Sequence, residues 1–233
     1  LWLEESRRKI KPLFADLLKS VGLIEGIERV RFISPHPKDL TAEIVAAMSK
    51  TENVCEHLHL PLQSGSDSIL SAMHRGYTGE RFLRKIEQAR SEIDDLSVTT
   101  DLIVGFPGES ETDFEETLEV VAEAQFDAAY TYIFSPRPGT DAAEMESKFI
   151  EHAVAVRRYE TLRNVVKRSS LLKHKERVGR VEEVLVEGRS KKGTDLIKAR
   201  TRQNKILHLK FQDSLRVGTY ARVEVTDATS HYL

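Results

Sequence analysis

Apolar residues follow two rhythms in the first 140 positions. Ile10, Leu13, Phe14, Leu17, Leu18 and Val21 recur at helical spacing, which predicts a helix from Ser6 to Val21, stopped by Gly22. Arg29 to Ser34 reads as a short strand ended by Pro35 and Pro37. Leu40 to Met48 reads as a helix with Ile44, Val45 and Met48 on one face and Thr41 or Asp39 as its cap. From His57 to Gln63 the period changes to two. Leu58, Leu60 and Leu62 share one side, and His57, His59, Pro61 and Gln63 the other. Ser64 to Asp67 is a turn and cap before Ile69, Leu70 and Met73. Gly79 to Ile93 is helical, with Phe82, Leu83, Ile86 and Ala89 inward. A strand then begins at Ser97, with Thr99, Asp101, Ile103 and Gly105 on one face and Val98, Leu102 and Val104 on the other, Thr100 among them. It stops in the glycine-rich turn Gly105-Phe106-Pro107-Gly108. The helix Ser110 to Gln125 follows, with Phe114, Leu118, Val121 and Ala122 inward, and then a strand from Ala128 to Phe134.

Helix and strand thus alternate four times, as parallel βα units do. In a βα barrel the leucines of residues 57–63 face the outer helices, leaving the histidines and Gln63 in the lumen. Four strands do not close a barrel, so further strands are expected upstream of Leu1. With no initiator Met, the sequence reads as a piece of a longer chain. Ile150 to about residue 177 forms a long helix with Val154, Tyr159, Leu162, Val165, Val166 and Leu172 as its apolar positions. Beyond it come four short strands, 181–186, 197–202, 205–210 and 220–225, with turns at Gly188, Gly193, Asn204 and Gly218. That spacing suggests a small β-barrel. The expected fold is α/β: a partial (βα) open barrel over residues 1–147, a basic linker helix over 148–177, and a small all-β barrel over 178–233.

Charge sharpens this division. The net charge of −2 hides an acidic body: residues 1–147 hold 15 Lys and Arg against 27 Asp and Glu. Residues 148–177 hold nine against three, and residues 178–233 eleven against seven. A basic third on an acidic body points to a polyanionic partner. The small barrel, with Lys191, Lys192, Arg200, Arg202, Lys205 and Lys210, reads as an RNA binder. No apolar run approaches the roughly 18 residues of a membrane span. The single cysteine, Cys55, excludes an internal disulfide and a multi-cysteine metal site within this chain, and suits a reducing cytoplasm.

The residues that carry chemistry cluster at strand ends. A strand, a glycine-rich turn and a helix start in that order can hold a polar or anionic ligand. Asp101, on the lumen face, is either hydrogen-bonded within the fold or bound to ligand. Glu109 favours the helix start electrostatically. Tyr130, Tyr132 and Phe134 either stack on a flat ring or pack in a core. His57 and His59, with His36, make a possible metal set, but polar lining of the lumen is the better reading.

Four ordered motifs resemble a known family: residues 59–66 (His-Leu-Pro-Leu-Gln-Ser-Gly-Ser), 73–78 (Met-His-Arg-Gly-Tyr-Thr), 101–109 (Asp-Leu-Ile-Val-Gly-Phe-Pro-Gly-Glu) and 132–140 (Tyr-Ile-Phe-Ser-Pro-Arg-Pro-Gly-Thr). With Ser34-Pro35-His36-Pro37 and a basic barrel similar to a TRAM domain, they look like the later part of a radical S-adenosylmethionine (SAM) tRNA methylthiotransferase of the MiaB type. The resemblance covers nearly the whole chain. It implies an open six-stranded barrel, two 4Fe–4S clusters, an electron donor, a monomeric cytoplasmic enzyme and a tRNA anticodon stem-loop as partner. The reaction it implies adds a methylthio group to C2 of N6-isopentenyladenosine. Relatives acting on threonylcarbamoyladenosine or on a ribosomal protein are the alternative, as is a stand-alone RNA-binding protein. By the resemblance Gln63, Ser64 and Ser66 lie near the cofactor's ribose or methionine end. Asp101 and the Gly105–Gly108 turn pass close to the cofactor, and Tyr132 or Phe134 borders adenine. The cluster-binding cysteines are absent, so the chain by itself is expected to be inactive. Asp101 also stands where the family's glycine-x-isoleucine-x-glycine signature has its first glycine.

Overall fold

The computed structural model describes residues 13–191, 193 and 195–233. Helix α1 spans Phe14–Gly22 with Leu13 as its N-cap residue, so it includes the glycine expected to stop it. The expected helical positions before Leu13, including Ile10, lie outside the described residues, as does Lys192. In the expected strand from Arg29 to Ser34 only Val30 pairs, in a parallel bridge to Val54. Its N–H donates to the Asn53 carbonyl at 2.6 Å, and its carbonyl accepts from Cys55 at 3.0 Å. Helix α2, Ala42–Lys50, follows, with the Thr41 hydroxyl as its cap.

Strands β1 (His57–His59), β2 (Ser97–Val104) and β3 (Ala128–Ile133) form one parallel sheet in that order. Helices α3 (Asp67–Ala72), α4 (Gly79–Glu92) and α5 (Glu111–Ala124) connect them. Leu58, Leu60, Leu62, Val98, Leu102 and Val104 are fully buried in one core with Phe82, Ile86 and Phe126. Thr100 sits on this apolar face for a reason. Its hydroxyl donates to the Leu60 carbonyl and accepts from the Leu62 N–H, both at 2.8 Å, so it bridges the ladder beside Pro61, which has no N–H. The Leu62 N–H is spent on that hydroxyl and Gln63 takes the Asp101 carbonyl instead, at 2.9 Å, so the ladder of β1 ends after three residues. Pairing resumes at Gln63, which has φ of +70° and accepts from the Ile103 N–H at 2.8 Å.

Helix α5 starts at a capping box between Ser110 and Asp113 and ends at Gln125 in the left-handed region. Its buried stripe is Phe114, Thr117, Val121 and Ala124; Ala122, expected inward, is exposed because it lies one step round the helix. Helix α6, His152–Lys175, packs against β3 and α5 through Ala155, Leu162 and Val166. Leu172, expected among its apolar contacts, is exposed.

The last four strands, β4 (Val181–Arg189), β5 (Leu196–Thr201), β6 (Ile206–Lys210) and β7 (Tyr220–Glu224), form an antiparallel sheet in the order β6-β5-β4-β7. It curls into a half-barrel over a small core of Val184, Ala199, Leu207 and Val225. Gly188 does not end β4 as the sequence suggested. It lies inside the strand at an irregularity in the β4–β5 register, with φ of +141°. Leu233 pairs with the outer side of β6, donating to the Ile206 carbonyl at 2.9 Å.

Candidate functional site

The carboxyl ends of the parallel strands open onto a cleft of about 850 Å³. Parallel sheets place ligands at this end, where connecting loops diverge from the strands. Gln63 reaches it from beyond β1, Ile103 from β2 with Phe106 just past its end, and Tyr132 from β3 with Phe134 just past its end. Phe134 is fixed by its N–H, which donates to the Val104 carbonyl at 2.8 Å, and by edge contact with the Phe106 ring at 5.3 Å. Arg75 and Arg137 stand on the rim. Aromatic walls, one side-chain amide and guanidinium groups suit a flat heterocycle with a polar or carboxylate tail. The residue 73–78 motif supports this end from behind. The Tyr77 hydroxyl donates to the Pro61 and Leu62 carbonyls at 3.1 and 2.8 Å, and Thr78 caps α4. A second cleft of about 840 Å³ lies under α1, lined by Lys50, Asn53 and Arg202. Gln63, Tyr132 and Phe134 take no part in it.

Ser64, Ser66, Asp101, Gly105 and Gly108 do not line the cleft at the strand ends. Ser64 and Ser66 are fully buried and turned towards α5. Ser64 pairs with the Thr117 hydroxyl at 3.1 Å, and Ser66 donates to Asp113 at 2.5 Å. Burial of Asp113 opposes its charge, but hydrogen bonds from Ser110, Ser66 and Ser68 outweigh that and hold its carboxyl well below the usual range.

The glycine-rich turn is also closed by the chain itself. The Gly105 N–H donates to the Glu109 carboxylate at 2.8 Å, and the Gly108 N–H to the Lys148 carbonyl at 2.8 Å. A Cβ on Gly105 would stand 2.9 Å from the Ala155 Cβ, so this glycine makes room for α6. In this structure the Gly105 amide is thus engaged by a carboxylate and the Gly108 amide by a backbone carbonyl, both from the same chain. Glu109 is buried, and burial pushes its carboxyl up, against the Gly105 N–H and Arg158. Arg158 donates to the Glu109 carboxylate at 2.8 Å and to its carbonyl at 2.9 Å, and to Glu111 at 2.9 Å. Sequence reasoning missed Arg158. Its signal was present, because Ala155, Arg158, Leu162 and Val166 share one helical stripe.

Asp101 belongs to a polar string along the lumen face. Its carboxylate lies 3.3 Å from His59 Nε2, and His59 Nδ1 lies 2.9 Å from the Thr99 hydroxyl. That hydroxyl also meets His57 Nε2 at 3.0 Å. Burial, with Arg31 and then His59 beside it, pushes His57 down to about 4. His36 accepts from the Lys38 N–H and stands against the Tyr77 ring, and among the described residues no His, Cys, Asp and Glu cluster could hold a metal.

The six cations expected to grip RNA divide into two kinds. Lys191 and Lys210 are exposed, and Lys192 lies outside the described residues. The other three are engaged within the molecule. Arg200 pairs with Glu187, and Arg202 forks onto Glu56 with bonds of 2.7 and 2.8 Å. Lys205, buried, meets Asp127 at 2.6 Å. Glu56 directly precedes β1 and Asp127 directly precedes β3. Asp95, just before β2, takes a fork of 2.8 and 2.9 Å from Arg177. So each parallel strand begins beside a carboxylate, and each carboxylate is paired with a cation from the C-terminal region. The charge asymmetry in the sequence therefore serves in part to join the two halves of the chain.

Residues 4–121 match the radical SAM superfamily, and residues 175–233 match the TRAM domain. The chain is 46% identical over 220 residues to tRNA-2-methylthio-N(6)-dimethylallyladenosine synthase of Caldicellulosiruptor saccharolyticus, covering 94% of this chain and 46% of that protein. To the synthase of the same name from Thermoanaerobacter sp. it is 48% identical over 214 residues, 92% of this chain and 45% of that one. To that of Streptomyces coelicolor it is 47% identical over 227 residues, 96% and 45%. The chain spans about half the length of these curated relatives. Among solved structures, coproporphyrinogen III oxidase of Escherichia coli, a radical SAM enzyme, superposes with a TM-score of 0.51 over 72% of this chain and 45% of that one. At 14% identity that likeness speaks for the fold alone.

Proposed function

This chain belongs to the radical SAM superfamily, and from that premise we propose that it is the C-terminal part of a tRNA methylthiotransferase. The proposed reaction adds a methylthio group to C2 of N6-isopentenyladenosine beside the anticodon. The observation that carries the reading is the aromatic cleft at the carboxyl ends of the strands, in a chain whose relatives at 46 to 48% identity are synthases of that modified base. Gln63, Tyr132 and Phe134 are proposed to hold the nucleoside end of S-adenosylmethionine, which when bound would supply methyl and radical chemistry. Phe134 provides a face for the purine, with Tyr132 at its border, and Arg75 or Arg137 a partner for a carboxylate.

The residues present do not fit an iron–sulfur cluster. Cys55 is the only cysteine, it is buried, and burial pushes its thiol up. No step is therefore assigned to a cluster in this chain, and the isolated chain is proposed to lack activity. Cluster ligands, an electron donor and a monomeric, cytoplasmic enzyme belong to the same proposal. No helix among the described residues is long and apolar enough to cross a membrane.

The experiment is to assay the 233-residue chain beside the product of its complete reading frame, reconstituted anaerobically with iron and sulfide. Mass spectrometry of digested tRNA should show 2-methylthio-isopentenyladenosine only with the longer protein. Product from the chain alone would overturn its assigned inactivity. Conversion of threonylcarbamoyladenosine instead would move the substrate to the alternative.

A further inference from the structure

We propose that the groove between β3 and α6 is a track for a single-stranded segment of RNA, and that it feeds the cleft at the strand ends. The inference rests on the tRNA reading above and adds where the RNA lies. β3 is an edge strand among the described residues, so the outward N–H and C=O groups of residues 128–132 have no strand partner. Helix α6 runs beside that edge and flanks a groove of about 250 Å³, which Ser230 and His231 also line. Tyr159, Arg163 and Lys167 line it at intervals of four residues, on one helical side.

Arg163 and Lys167 are exposed, and neither has a carboxylate partner among the described residues. They differ in this from Arg177, Arg202 and Lys205, whose charges are neutralised inside the molecule. Two unpaired cations one helical turn apart, facing unpaired backbone donors, suit successive phosphates. Tyr132 sets the direction. It lines both the groove and the cleft and is 52% exposed. A base stacked on Tyr132 stands at the mouth of the cleft, while its flanking backbone runs past Arg163 and Lys167. An acidic protein segment would answer the cations but would have no use for a ring shared with a nucleoside-sized cleft.

The test is fluorescence anisotropy of the 233-residue chain with a labelled RNA hairpin carrying an anticodon-sized loop, titrated across a salt series. Arg163→Gln with Lys167→Gln should weaken binding about tenfold and flatten the log–log salt slope by about 1.5, as expected for two lost phosphate contacts. Arg81→Gln with Arg84→Gln, exposed on α4 and outside the groove, should change affinity less than about twofold. Hydrogen exchange on the unmutated chain should show added protection at 128–133 and 159–170 with the hairpin bound. If the chain binds the hairpin but the groove variant binds equally well, or protection falls only on 181–224, the track is overturned and the tRNA reading stands. If the unmutated chain does not bind the hairpin at low salt, both are overturned.

Discussion

At their amino ends, β1, β2 and β3 each follow a carboxylate: Glu56, Asp95 and Asp127. Arg202, Arg177 and Lys205 cover those carboxylates with bonds of 2.6 to 2.9 Å. At their carboxyl ends the same strands present Gln63, Ile103 and Tyr132 to an open cleft. One end of the sheet is sealed by charge and the other is left wet and aromatic. A buried ion pair adds little net stability but makes a specific joint, because losing one partner leaves the other charge stranded. An exposed aromatic ring adds almost nothing to stability and keeps its face for a ligand. Charge density in a sequence therefore does not by itself mark a binding surface. What matters is whether the partner charge lies in the same chain.

The largest effect is expected at the sealed end. Lys205→Ala leaves Asp127 buried without its cation, and denaturant unfolding should show a loss of about 3–5 kcal/mol. A loss below about 1 kcal/mol would mean that the joint is dispensable. Next comes the turn that backs the open end. Gly105→Ala places a side chain at φ of +73° and against Ala155, and should lower stability by about 2–3 kcal/mol. An effect on ligand binding without loss of stability would instead mark the turn as a ligand cradle.

A third effect is read by pH. His57 lies beneath the lumen and His174 against the C-terminal tail, its Nδ1 2.6 Å from the Thr229 carbonyl. Burial, reinforced by Arg31 for one and Lys205 for the other, holds both down at about 4 from an ordinary 6.5. Both are neutral in the folded protein, whereas the unfolded chain takes up protons below its ordinary value. Their contribution is therefore complete above pH 6.5 and is lost as pH falls towards 4. Each contributes up to roughly 3 kcal/mol. Replacing His174 with Gln should flatten stability across that window, measured by urea unfolding at several pH values.

Much of the fold was legible because periodicity reports burial. Leu58, Leu60 and Leu62 face the helices as their alternation implied, and β2 begins at Ser97 as read. The segment from Arg29 to Ser34 forms one bridge rather than a strand, because a strand pattern shows propensity but not whether a partner runs alongside it. Within the candidate site, Gln63, Tyr132 and Phe134 meet at the cleft because strand position alone determines where they lie. Ser64 and Ser66 face α5 because the turn after Gln63 swings them behind the sheet. The role of the glycine-rich turn was hidden by a contact 49 residues away, the Arg158 to Glu109 pair, which no local pattern encodes. The same limit applies to Arg202 and Lys205, whose partners lie 146 and 78 residues upstream.

The contrast between the two ends is tested most directly by hydrogen exchange of the chain with and without millimolar S-adenosylmethionine. Protection is predicted at residues 103–106 and 132–135, around the cleft, with no change at 200–206, where the cations meet the strand starts. Protection at 200–206, or at the second cleft near Asn53, with none around Tyr132 and Phe134, would contradict it.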